Sequence, residues 1–180
     1  EEKARVGYFL GCMMSIMFNK TTSATINVLN RSHCTVITPK DIRCCGAPLL
    51  SEGYKKKAFD LMKFNVDLFD TLNVDYIVTD CAACAAACKE YAEILHDDPA
   101  YRDKAKRFSE KVHEITEFLA QWPHTAKVEK PPFDSPKKVT YDEPCHLCHA
   151  QQVWKQPRQV IQSVPGVELV PLPESEWCCG

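Results

Sequence analysis

The sequence predicts an α/β protein in which helices flank a parallel sheet, built as two pseudo-repeated units of which the second is incomplete. Short apolar runs of strand length alternate with longer amphipathic stretches, as expected for β-α-β-α-β connectivity and a parallel sheet. The cysteines recur as a second, shorter set further along the chain. A chain of 180 residues with 45% hydrophobic content can bury one substantial core or two small ones.

The first half of the chain contains three predicted strands, at residues 6–10, 35–39 and 76–80. Each run has strand length and a β-rich composition, and the segments between the runs are long enough for crossover helices. Helices are predicted over residues 13–31 and 52–72, from the alanine-rich stretch after Cys84 to residue 95, and over residues 101–122. In the last of these, apolar residues recur every three or four positions, which is typical of an amphipathic helix.

A proline-containing stretch interrupts this periodicity at residues 123–136 and indicates a linker. The pattern then restarts, with a strand predicted at 139–142, a helix at 153–163 and a strand at 167–172. We therefore expect a first domain at residues 1–122, a linker at 123–136 and the start of a second, truncated domain at 137–180.

Five cysteines follow the spacing C-x31-CCG-x34-CxxC: Cys12, Cys44, Cys45, Cys81 and Cys84. A shift of 133 residues places Cys12 on Cys145 and Cys45 on Cys178, beside Cys179. This is an internal repeat, although no second CxxC follows. Cysteines that merely pack a core have no reason to recur as an adjacent pair and a CxxC.

The predicted fold explains why this spacing matters. Cys12, the Cys44–Cys45 pair and Cys81 each come shortly after a predicted strand, and the carboxyl ends of parallel strands meet at one edge of a sheet. Gly11 and Gly46 would let the backbone approach a bulky group closely. Three loops are thus expected to converge on one metal centre.

Composition sets the compartment and the class of partner. Eleven cysteines are an odd number, two pairs are adjacent and no signal peptide is recognisable, which favours metal-bound thiolates in a reducing, cytoplasmic setting. A net charge of −2 gives no attraction to nucleic acid. No apolar run reaches the roughly 20 residues that span a bilayer, so we expect any peripheral attachment to the cytoplasmic face of a membrane to come through a partner.

Several strings resemble one family over most of the chain: GCMMS, DIRCCGAP, TDCAACAAACKEY, DEPCHLCHAQ and EWCCG. They are similar to the cysteine-rich CCG domain family, which includes the CCG-containing component of heterodisulfide reductase, the lactate-utilisation iron-sulfur protein and the iron-sulfur subunits of anaerobic glycerol-3-phosphate dehydrogenase and glycolate oxidase. The segments between the motifs look most like the glycolate oxidase iron-sulfur subunit.

The resemblance implies a [4Fe-4S] cluster, non-cubane as in the heterodisulfide reductase relatives, on two CCG domains. The implied ligands are Cys12, Cys44, Cys45, Cys81 and Cys84 at the first site, and Cys145, Cys178 and Cys179 at the second. It also implies an FAD-containing dehydrogenase subunit, a ferredoxin-like iron-sulfur domain or subunit, and a quinone-reducing partner at the membrane.

Three functions follow as alternatives. The first is electron relay, within a complex of the 2-hydroxy-acid or glycolate oxidase type, from a flavoprotein to a quinone or another carrier. Chemistry on the organic substrate is expected in a partner subunit, since the sequence contains no G-x-G-x-x-G nucleotide fingerprint. The second is disulfide reduction at the cluster, as in heterodisulfide reductase, and the third is a structural zinc site held by four thiolates.

Overall fold

The computed structural model describes residues 4–130 and 133–177. The first half of the chain folds into β1 (Ala4–Tyr8), α1 (Cys12–Met17), α2 (Asn19–Arg31), β2 (Cys34–Ile37), α3 (Ala47–Ser51), α4 (Lys55–Asp70), β3 (Tyr76–Thr79), α5 (Ala82–Ile94), α6 (Arg102–Glu110), β4 (Val112–Glu114) and α7 (Ile115–Gln121). The second half contains β5 (Lys137–Val139), α8 (Cys145–Gln151), α9 (Lys155–Gln162) and β6 (Val167–Leu169).

The strands form two parallel sheets. The larger has the order β2-β1-β3-β4, and the smaller pairs β5 with β6. Val6 of β1 lies opposite Val36 on one side and Tyr76 on the other, and Ile77 of β3 lies opposite Val112. The predicted α/β class with a parallel sheet is therefore confirmed, and each half of the chain has a sheet of its own.

Helices cover both faces of the larger sheet, as the alternation of side chains along its strands requires. On one face Ile77 packs with residues of α4, α5 and α6, including Met62, Tyr91 and Phe108. On the other face Val6 and Val78 pack with residues of α2 and α7. The two clusters form the core and hold the strand ends in place.

Two helices predicted in the amino-terminal half of the chain differ from the structure, one because it is divided and the other because it begins later. The helix expected over 13–31 is divided into α1 and α2 at Phe18, whose backbone leaves the helical region at φ −123° and ψ 35°. The helix expected over 52–72 begins at Lys55, because Gly53 adopts a left-handed φ of 81° after the short helix α3.

The long amphipathic helix expected over 101–122 is also wrong, since it conceals a strand. Residues 112–114 pair with β3, and Glu114 then opens α7 by accepting hydrogen bonds from the backbone N–H groups of Thr116 and Glu117. Val112 and Ile115 still face the interior, so their spacing mimics one face of a helix. Pairing of the edge of β3 outweighs the local helical pattern here.

The second half of the chain packs against the first. Helix α9 lies against α7, and α8 lies against α5. The start of the predicted linker is also attached, since Ala126 N donates to Ser32 Oγ at 2.9 Å. Pro131 and Pro132 lie outside the described residues, and the boundaries at residues 122 and 136 stay a prediction. Among the helices described, none is long and apolar enough to cross a bilayer.

Candidate metal-binding site

The five cysteines of the first motif follow three strands of the larger sheet. Cys12 begins α1 after β1, and Cys44 and Cys45 follow β2. Cys81 directly precedes α5 after β3, and Cys84 lies in the first turn of α5. Strand β1 has β2 on one side and β3 on the other, so the chain changes direction across the sheet between these loops. Ligands of open α/β sheets bind at such a reversal, outside the carboxyl ends of the strands.

All five of these cysteines line a single cavity of about 300 Å³. The remaining residues of its wall are mostly small or apolar: Gly11, Met13, Met14, Ala47, Pro48, Ser51, Ala83 and His146. The structure thus brings together side chains that are separated by as many as 72 residues in sequence. Their role as ligands stays a prediction.

The thiols differ in exposure and form two groups. Cys12 is exposed, and its Sγ lies 3.8 Å from Sγ of Cys44. Cys45 and Cys84 are buried, and Cys84 is hydrogen-bonded to both Cys45 and Cys81. Within residues 4–130 and 133–177, no three His, Cys, Asp or Glu side chains are arranged to hold a single metal ion.

These hydrogen bonds polarise the inner thiols. The bond from Cys84 lowers the pKa of Cys45 to about 7 and that of Cys81 to about 6, despite the opposing effect of burial. Backbone N–H groups at the start of α5 add to the effect at Cys81. The pKa of Cys84 itself is raised, first by its bond to Cys45, and burial raises the pKa of Cys44 to about 11. The interaction with Cys84 thus favours the thiolate form of Cys45 and Cys81, and metal binding at protonated thiols would release protons.

Two glycines bring the backbone close to its neighbours at this site. A Cβ on Gly11 would lie 3.2 Å from Sγ of Cys84. Gly46 has a φ of +85°, and a Cβ there would lie 3.2 Å from the carbonyl oxygen of Ala58 in α4. A glycine at residue 46 therefore lets the Cys44–Cys45 loop turn and lie against α4 without backbone strain.

A buried asparagine that sequence reasoning missed holds the Cys44–Cys45 loop. Asn65 in α4 is fully buried, and its Oδ1 accepts from Arg43 N at 3.0 Å. Its Nδ2 donates to the carbonyl oxygens of Arg43 and Cys44, both at 3.1 Å. The only available signal was a polar residue within the apolar stripe of a predicted helix.

Tyr91 of α5 also holds this loop, and its hydroxyl lies beside the side chain of Asn65. Its ring stacks on Phe108 with centroids 5.3 Å apart, and its hydroxyl donates to the carbonyl oxygen of Cys45 at 2.7 Å. Tyr91 and Asn65 are both completely buried. The backbone of the cysteine pair is thus hydrogen-bonded by buried side chains of both α4 and α5.

Two further cysteines, Cys34 and Cys88, pack in the core. Cys34 lies in β2 among Val6 and Leu29, and burial raises its pKa to about 11. Cys88 is fully buried one turn beyond Cys84, where burial raises its pKa well above the usual value. Neither contributes to the wall of the cavity.

The second motif is described in part. Cys145 begins α8 shortly after β5, just as Cys12 begins α1 after β1. Cys148, in the same helix, is buried. Cys178 and Cys179 lie outside the described residues. The position of Cys145 at a strand-to-helix connection is thus equivalent to that of Cys12.

Comparisons with known proteins agree with this arrangement. The sequence matches the CCG cysteine-rich domain family over residues 6–89 and again over 139–180, which confirms the two pseudo-repeats and the resemblance carried by the cysteine strings. The chain is 36% identical over 176 residues to lactate utilization protein A of Geobacillus kaustophilus, covering 98% of this chain and 72% of that protein.

Two other relatives are longer. The chain is 32% identical over 179 residues to a probable glycolate oxidase iron-sulfur subunit of Bacillus subtilis, covering 99% of this chain and 40% of that protein. It is 34% identical over 180 residues to an uncharacterized iron-sulfur protein of Methanococcus maripaludis, of which it covers 33%.

Proposed function

We propose that this chain, which belongs to the CCG cysteine-rich domain family, binds an iron-sulfur cluster and transfers electrons within a larger oxidoreductase. The observation that carries the proposal is the single cavity lined by five cysteines from three loops. The proposed ligands are Cys12, Cys44, Cys45, Cys81 and Cys84. The names of two relatives, one an iron-sulfur subunit and one a lactate utilization protein, support the same function.

The residues around the cavity are suited to binding an iron-sulfur cluster. Cysteine thiolates are the usual ligands of iron-sulfur clusters, whereas a structural zinc site is complete with four ligands. Five thiols around about 300 Å³ exceed what one zinc ion needs. Interaction with Cys84 lowers the pKa of both Cys45 and Cys81, which favours the thiolate form that binds iron.

The residues that enclose the cavity are better suited to electron transfer than to chemistry on an organic substrate. When bound, a cluster of this kind takes up and gives back single electrons at a potential set by hydrogen bonds, burial and charge. Cys45 and Cys84 are buried beneath the cavity, which keeps water from that side. Exposed Cys12 and Met13 lie at its outer edge, where a redox partner can approach.

The names of the relatives support a proposal for the source of the electrons. We propose that an FAD-containing dehydrogenase subunit oxidises glycolate, lactate or a similar 2-hydroxy acid and reduces this chain, which passes electrons to a quinone or another carrier. A ferredoxin-like domain or subunit is the proposed intermediary. The chain would then act in the cytoplasm, at the membrane surface only through a partner. Cys145, Cys178 and Cys179 are the proposed ligands of a second centre.

Disulfide reduction is a second candidate, favoured by the exposure of Cys12 at the edge of the cavity. The two functions differ in what the isolated chain can do. We expect anaerobically reconstituted protein, reduced with dithionite and desalted, to return its electrons to menadione while oxidising no dithiol. Oxidation of dithiothreitol coupled to methylene blue, an acceptor of higher potential, would contradict the relay if it is present in the wild type and absent in Cys45→Ser.

A further inference from the structure

We infer that the second repeat completes the first cysteine site, and that the imidazole of His146 donates a hydrogen bond to a sulfur of the cluster bound there. The inference rests on the proposed function. The inferred donor lies outside the first cysteine motif and belongs to the second half of the chain. His146 lines the cavity of the five cysteines, although it lies 62 residues beyond Cys84.

Helix α8, which carries His146, is fixed at its far end to the first site. Nε2 of Gln151 donates to the carbonyl oxygen of Ala82 at 3.0 Å and to that of His146 at 2.7 Å. Ala82 lies between Cys81 and Cys84. The side chain of Gln151 therefore connects the CxxC turn directly to the backbone of His146.

The near end of α8 is fixed as well. Glu143, shortly before the helix, is buried and pairs with Arg158 of α9, while its backbone N–H donates to the carbonyl oxygen of Ser175 at 2.9 Å. Leu147 and Cys148 are buried at 3% and 1% exposure. A helix held at both ends and along one face presents residue 146 at a defined position.

The chemistry of His146 differs from that of the rest of the wall. Among the described residues that line the cavity, only Ser51 and His146 carry nitrogen or oxygen on the side chain. A neutral imidazole has one N–H donor, and thiolate and sulfide sulfurs accept hydrogen bonds. Such bonds stabilise the more negative, reduced state of a cluster and so raise its reduction potential. His146 is exposed, so its ring can turn toward the cavity without first breaking a buried contact.

The same helix offers a matched control. His149 is also exposed, but its ring packs edge-on against Trp154 at 5.5 Å and lies 3.2 Å from the carbonyl oxygen of Glu176. It does not line the cavity. His146→Ala and His149→Ala thus remove the same group from one helix, one beside the site and one away from it.

The test uses the full chain, labelled with ¹⁵N-histidine, reconstituted without oxygen and reduced. We expect pulsed electron paramagnetic resonance to detect a histidine nitrogen coupled to the cluster in the wild type and in His149→Ala, and to lose it in His146→Ala. The midpoint potential should move to a more negative value in His146→Ala alone, with iron content and melting temperature unchanged.

The outcomes separate the two proposals. A wild-type protein that binds no cluster contradicts the proposed function and this inference with it. A wild-type cluster with no histidine coupling, and with one midpoint potential in all three proteins, overturns the inference and leaves the proposed function standing.

Discussion

Replacement of Cys45 by serine is expected to abolish cluster binding. Cys45 is buried, belongs to the adjacent pair and has a pKa of about 7, so it is the thiolate most fully enclosed by the site. Serine keeps the shape of the side chain but is a poor ligand for iron at neutral pH. We expect the variant to lose the iron of the first site, about four atoms per chain, together with the visible absorbance of that cluster.

Cys34→Ser is the matched control for this substitution. Cys34 is buried to nearly the same extent, at 5% exposure against 3% for Cys45, but lies in β2 among apolar side chains. Both variants therefore lose a buried sulfur, and only one loses a proposed ligand. Retention of the cluster in Cys45→Ser, or its equal loss in both variants, would contradict the assignment of ligands.

Replacement of Asn65 by leucine should destabilise the protein before any metal is bound. Leucine fills a similar volume but leaves one backbone N–H and two backbone carbonyl groups of the cysteine loop without their side-chain partner. These groups are partly buried and Arg43 itself is exposed, so water can replace some of the lost hydrogen bonds. We expect the free energy of unfolding to fall by about 1–3 kcal/mol, the cost of one unsatisfied buried group. Urea denaturation of the metal-free protein measures this loss.

Asn27→Leu provides the reference for the asparagine substitution. Asn27 is exposed on α2, where a leucine should change the free energy of unfolding by less than about 0.5 kcal/mol. Asn65→Leu should also reconstitute with less iron, because the Cys44–Cys45 loop is no longer held by α4. Equal stability of the two variants would show that Asn65 does not hold the loop.

Much of the site could be located from sequence because it depends on topology alone. Parallel strands bring their carboxyl ends to one edge, so cysteines that follow β1, β2 and β3 had to gather there whatever the details of packing. The positions of Cys12, Cys44 and Cys81 shortly after apolar runs were sufficient to predict that these cysteines lie at one edge of the sheet. Small errors in the predicted strand boundaries did not affect the result.

What could not be predicted depends on contacts between elements distant in sequence. The strand β4 was concealed because Val112 and Ile115 keep a helical spacing, and only the free edge of β3 turns residues 112–114 into a strand. Asn65 and Tyr91 face the cysteine loop from helices whose rotation about their axes is set by packing. His146 joins the first site only because α8 docks on α5.

The most direct test of cluster binding is the content of iron, acid-labile sulfide and zinc per chain, in protein purified and kept without oxygen. We predict about four iron atoms with matching sulfide at the first site, with more if the second site is also filled. One zinc per chain, without sulfide and retained under these conditions, would contradict cluster binding and would instead indicate a structural metal site.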